Sequence, residues 1–164
     1  MNFDLIKTQL LEWMTTFVEQ PNPNLGNWPP CPYARAARLN NKILIVECAV
    51  AELANTVNQN IENLDPYEVV VICFDHTQIS GKDCAALTEA LNKELMPKNV
   101  VILEDHPDLV EHVNSVHMNF GQCGLYVIQK LDKLNEAADK LKVAGYYNHW
   151  TKAELDEVVT WRYE

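Results

Sequence analysis

A cysteine set among prolines, Pro29-Pro30-Cys31-Pro32-Tyr33, and three apolar runs that each end in acid, thiol or imidazole groups are where this 164-residue sequence could do chemistry. Pro32 has a fixed φ and suits the first position of a helix, where a missing N–H costs nothing. Cys31 is thereby placed at or beside a helix N-terminus. The positive end of the helix dipole, with Arg35 one turn on, favours thiolate over thiol, the form that attacks an electrophile or binds a metal. Trp28 and Tyr33 flank the thiol and would offer apolar contact to a bound partner. The same prolines and Trp28 would equally build a buried packing corner.

The run ends are loaded in a consistent way. The first finishes at Glu47-Cys48, the second at Asp75-His76 and the third at Glu104-Asp105-His106. In parallel sheets ligands bind beyond the carboxyl ends of the strands, so parallel strands would gather these groups on one rim. His76 and His106 with Asp75 would suit a divalent metal such as zinc, manganese or iron. His106 could instead serve Cys31 as base, with Asp75 and Asp105 beside it as binding groups. Against this, strand ends meet solvent and collect polar residues without any function. His112 and His117, five apart, have a poor spacing for one helical face and read as surface residues. Cys48 and Cys73 lie in apolar runs and read as small core residues, Cys123 has nothing near it to activate a thiol, and Asp83 opposes a thiolate at Cys84.

Those groups need elements to hold them. Phe3, Ile6, Leu10, Trp13 and Phe17 draw one apolar stripe along a helix over 3–19. Runs 42–48, 69–74, 100–103 and 125–128 have strand length and β-branched composition. Helices are expected over 49–63, from a capping box at Ser80 to Pro97, over a short span 107–118 begun by Pro107, and over two C-terminal segments. The last begins at Thr151, where a capping box with Glu154 and a staple between Trp150 and Leu155 mark the boundary. Alternating strand and helix predicts a single-domain α/β sandwich over 1–164, with a four-stranded mainly parallel or mixed sheet. Thioredoxin-like, ferredoxin-like and flavodoxin-like arrangements all remain open, because strand four follows a short connection and could run antiparallel.

Composition narrows the function classes. Thirteen basic against twenty-three acidic residues give a net charge of −10, with no basic cluster to meet a phosphate backbone, so nucleic acid is not an expected partner. No basic leader and no apolar run of membrane-spanning length appear, so a cytoplasmic protein away from membranes is expected. Five cysteines without regular spacing fit reduced thiols rather than a disulfide framework. Glycine-rich nucleotide loops and the serine nucleophile elbow are missing, and Ser80-Gly81-Lys82 reads as a plain helix cap.

The order of a leading helix, Cys31-Pro32-Tyr33-Ala34, a strand and then His106-Pro107 resembles a bacterial family of uncharacterised proteins with a Leu-Cys-Pro-Phe-Ala-like motif and a later Phe-His-Pro. Over residues 3–107 the positions carried over are Cys31, Pro32, Tyr33 in place of Phe, Ala34, His106 and Pro107. Pro30 stands where the family has an apolar residue, and the family's Asn-Arg-Ser-Pro-Tyr-Pro-like segment is missing. The stretch from Asp105 to Leu141 also resembles small hypothetical proteins of marine cyanobacterial viruses. The first resemblance implies that Cys31 and His106 belong to one feature, and neither implies a substrate.

Two functions are therefore expected in competition. The first is a non-catalytic accessory or binding module, with a pocket at the strand ends for a small molecule or a protein. The second is a small thiol- or metal-dependent enzyme using Cys31 and His106. A homodimer through the first helix and Trp161 would be compatible with either.

Overall fold

The computed structural model describes residues 1–164. In chain order the main elements are α1 (Phe3–Trp13), α2 (Ala34–Leu39), β1 (Ile43–Glu47), α3 (Leu53–Asn60), β2 (Val69–Phe74), α4 (Gly81–Leu95) and β3 (Val100–Asp105). A small hairpin of β4 (His112–Val113) and β5 (Val116–His117) follows. The chain then runs through β6 (Gly124–Lys130), α5 (Leu131–Ala144) and α6 (Lys152–Val158).

The sheet is mixed, with order β1-β2-β6-β3. β1 and β2 pair in parallel, and β6 enters antiparallel between β2 and β3. This antiparallel strand excludes an all-parallel flavodoxin-like sheet. It also leaves β1, β2 and β3 pointing the same way, so their carboxyl ends share one side of the molecule.

Alternation along β2 explains the layering. Val70, Ile72 and Phe74 point to one face, where Leu53 and Val57 of α3 and Cys84, Leu91 and Leu95 of α4 complete the larger core. Val71 and Cys73 point to the other, covered by Ile6, Leu10 and Met14 from α1 and its continuation. A strand buried on both faces must be apolar throughout, as this one is. The stripe on α1 is used inside the chain, not spare for a dimer; its outward residues include Leu5 and Leu11.

Local signals hold at both helix starts, as an N-cap at Ser80 and as a full capping box at Thr151. Ser80 Oγ accepts the Asp83 N–H at 3.1 Å, and Thr151 Oγ1 accepts the Glu154 N–H at 3.1 Å while Glu154 Oε2 accepts the Thr151 N–H at 2.8 Å. The segment 107–118 is not the helix expected of it. Asn114 and Ser115 both have positive φ, 46° and 68°, which sets a two-residue hairpin turn instead.

β3 is an edge strand, and one side chain guards it. Asn92 of α4 is 7 % exposed; its Nδ2 donates to the Ile102 carbonyl at 3.0 Å and its Oδ1 accepts the Ile102 N–H at 2.8 Å. The amide thus replaces a neighbouring strand at Ile102, one of the alternate residues of β3 whose N–H and C=O point away from β6. Asn92→Ala is expected to cost about 2 kcal/mol, because a buried donor and acceptor lose their partners together. Chemical denaturation would measure the loss, and light scattering at rising concentration should show edge-to-edge association that the parent lacks.

Candidate functional site

The residues predicted from the sequence do not converge. His106 is fully buried at the end of β3. Its Nε2 donates to the Ile79 carbonyl at 2.8 Å and faces the His76 carbonyl at 3.2 Å, while its Nδ1 accepts the Asp108 N–H at 3.0 Å. Two carbonyls at one nitrogen and an N–H at the other place a ring proton on Nε2 and an accepting lone pair on Nδ1. Both nitrogens serve the backbone, so His106 has none left for Cys31 or for a metal. The expected catalytic and ligand roles would each require one of these bonds to be given up.

His76 lies with its ring 5.9 Å from that of His106, edge to face. Asp75 turns to its own loop, where Oδ1 accepts the Thr77 N–H at 3.0 Å and the Thr77 hydroxyl at 2.7 Å. Those two bonds hold its carboxyl below the usual range. No set of three or more His, Cys, Asp or Glu side chains in the fold is arranged to hold a metal ion. His76, His106 and Asp75 are not brought together as such a set.

Cys31 precedes α2 by a turn, two residues further from the helix than Pro32 alone suggests, and its N–H donates to the Val18 carbonyl at 3.1 Å. The thiol receives backbone N–H groups of Tyr33 and Ala34, as the expected helix-start geometry requires. Burial nevertheless outweighs them and raises its pKa, with Glu19 acting the same way. Solvent reaches the residue, but the surrounding wall removes enough water to favour the thiol over the expected thiolate. Glu19 is itself held by Arg38 in a forked pair at 2.7 and 2.8 Å.

Trp28 is a corner residue. Its ring meets Tyr146 edge-on at 5.7 Å, and Tyr146 Oη donates to the Pro30 carbonyl at 2.6 Å. The proline segment is thereby tied to the chain after α5. Tyr33 and Arg35 are exposed on the surface beside it.

What the fold does build is a groove of about 1020 Å³ along the outer edge of β3. It touches the expected rim only at Glu104 and Asp105, the end of that strand. Trp13, Phe17 and Trp161 supply aromatic surface, Met118, Leu109 and Val158 aliphatic surface, and Cys31 opens into it. Its charged lining is one-sided: Glu89, Glu104, Asp105, Glu111, Glu157 and Glu164 stand against Lys93 alone. Lys93 already pairs with Glu89 at 3.3 Å.

Burial raises the carboxyl pKa values of Glu104 and Asp105 and pushes Glu111 up to about 7, with Asp105, Glu157 and Glu104 adding repulsion at Glu111. Asp105 is positioned by the Phe120 N–H and Asn119 Nδ2, both at 2.9 Å. Asn119 Oδ1 in turn accepts the Glu111 N–H at 2.7 Å, which locks the two acids into one loop. Of the residues singled out from sequence, Cys31 and Asp105 line this groove, and Trp28, Tyr33, Arg35, Asp75, His76 and His106 do not. The aromatic residues at 13, 17 and 161 and the acids at 111 and 157 carried no local signal, since only the fold brings them together.

This is an α/β protein with a four-stranded mixed sheet and an acid-lined aromatic groove at one sheet edge. No family model matches the chain, and no match was found among curated proteins or solved structures. No helix is long and apolar enough to cross a membrane.

Proposed function

We propose that the protein is a binding module whose groove along β3 takes a basic segment of a partner protein. The observation that carries this is the lining: three aromatic side chains together with acids that, Glu89 apart, pair with no Lys or Arg. Lys and Arg side chains fit such a lining twice over, laying aliphatic stems and cationic heads against aromatic rings and ending on carboxylates. Acids raised by burial, with repulsion added at Glu111, gain most from an incoming positive charge. The net charge of −10 would steer the approach of such a partner.

The partner would engage through side chains and not as a fifth strand, because Asn92 already occupies the Ile102 edge groups. The thiol-enzyme reading keeps Cys31 in the same groove but loses His106 as its base. A titration followed by tryptophan fluorescence would test the binding reading through Trp13 and Trp161. A Lys/Arg-rich peptide of about twelve residues, enough to follow the strand edge at about 3.3 Å per residue, should shift the emission, and added salt should weaken it. Glu157→Gln should weaken binding about fivefold, as loss of one charge pair of roughly 1 kcal/mol requires. Equal responses to a Glu-rich peptide of the same length would overturn the proposal.

A further inference from the structure

Helical spacing would separate His112 and His117, but the chain between them is a hairpin and they face each other across it. Val113 and Val116 flank the Asn114-Ser115 turn, so His112 and His117 form the next pair out. In a two-residue hairpin that pair is the closely spaced one without ladder bonds, where side chains approach most nearly. The Met118 N–H donates to the Glu111 carbonyl at 2.9 Å one step further, which fixes the register on the other side.

Both imidazoles are exposed, and their ring centres stand 5.2 Å apart with planes inclined at 56°. A cation about 2.1 Å from one nitrogen of each ring, at a tetrahedral opening, would put the ring centres roughly 5.2 Å apart. The rings therefore already have the spacing that a shared ion requires.

The hairpin that presents them is held firmly. Val113 and Val116 are buried against Leu25. The Asn114 N–H donates to Glu154 Oε1 at 3.0 Å, and Asn114 Nδ2 donates to the Asn24 carbonyl. A backbone fixed before binding leaves only the two side chains to be ordered by the ion. The Asp105 carboxyl lies within Coulombic reach of His117 and adds negative potential, but its oxygens are committed to Phe120 and Asn119 and are not ligands.

We infer that His112 and His117 form a two-histidine site for a borderline divalent transition cation of the zinc, nickel and copper kind. Imidazole nitrogens select these ions over magnesium or calcium, which prefer oxygen. With two protein ligands, water or an incoming donor group fills the remaining positions, and the ion is exchangeable. The site is separate from the groove proposal and stands or falls without it.

Zn2+ titration by calorimetry at pH 7.5, with histidine ring signals followed by NMR, tests the inference. One Zn2+ is expected to bind with the His112 and His117 signals moving together and those of His76 and His149 staying in place. His112→Ala or His117→Ala should each weaken that event about tenfold or more, and the double variant should abolish it. Because Cys31 is unchanged in every variant, zinc held by its exposed thiol would survive the double substitution. Binding that does survive it unchanged, or ring signals that do not move, would overturn the inference. Far-UV circular dichroism of the double variant checks that the fold is kept, and an exposed pair gives no reason for it to be lost.

Discussion

Gly124→Ala is expected to lower the unfolding free energy by about 3 kcal/mol, at the upper end of what overpacking a core costs. Gly124 opens β6 directly opposite Phe74 on β2, and the Phe74 ring lies across it. A Cβ at Gly124 would fall 2.1 Å from Phe74 Cε2 and 2.3 Å from Cζ, far inside contact distance. The ring has nowhere to go. Phe74 is fully buried and meets Tyr126 edge-on at 5.3 Å, and the Tyr126 hydroxyl is itself bonded to Thr88 at 3.1 Å. Urea unfolding should show a lower midpoint at unchanged slope. A double variant with Phe74→Leu should recover part of the loss, because the two sites touch and cannot act additively. A single variant within about 0.5 kcal/mol of the parent, the range of neutral surface changes, would show that the ring is free to swing away.

Sequence patterns revealed the sheet more fully than the site, and the reason is physical. Val69–Phe74 was legible to the residue because a strand buried on both faces leaves no alternation to misread. Thr151 and Glu154 were legible because a capping box is a local bond pattern that needs no tertiary partner. The segment 107–118 misled because Pro107 suits the first position of a helix as well as it suits a turn. Its turn, Asn114-Ser115, is a weaker hairpin signal than Asn-Gly. With that error went the pairing of His112 and His117. His106 was legible as a residue able to do chemistry, but its role depends on which groups the 75–81 and 106–109 loops turn toward its ring. The groove was least legible of all. Trp13, Cys31, Glu111 and Trp161 are separated by most of the chain and become neighbours only after β3 is left on the sheet edge.

The acids of that groove should make the protein less stable as pH rises from about 4.5 to about 7, and Glu111→Gln should remove most of the effect. Burial pushes the Glu111 carboxyl up to about 7 from an ordinary 4.5, and Asp105, Glu157 and Glu104 add repulsion. Between those two values the native chain holds a proton that the unfolded chain has released. Native protonation exceeds unfolded protonation there, so stability falls as pH rises from about 4.5 to about 7 and levels off above. A displacement of this size corresponds to roughly 3 kcal/mol across the window. Glu104 and Asp105, raised in the same direction by the same burial, act in the same sense. Glutamine keeps the shape of the protonated acid without its charge. The variant should therefore match the parent near pH 4.5 and exceed it by about 2 kcal/mol at pH 8, where the parent has lost its proton. Urea midpoints taken at half-unit pH steps would trace both curves. Parallel curves for parent and variant would show that Glu111 is ionised without penalty, and that the groove carries its negative charge in water. The functional expectation then follows from the same charge: a cationic side chain in the groove lowers the cost of ionising Glu111, so a bound basic peptide should release a proton near pH 7. Calorimetry in buffers of different ionisation enthalpy would detect that release, and Glu111→Gln should abolish it.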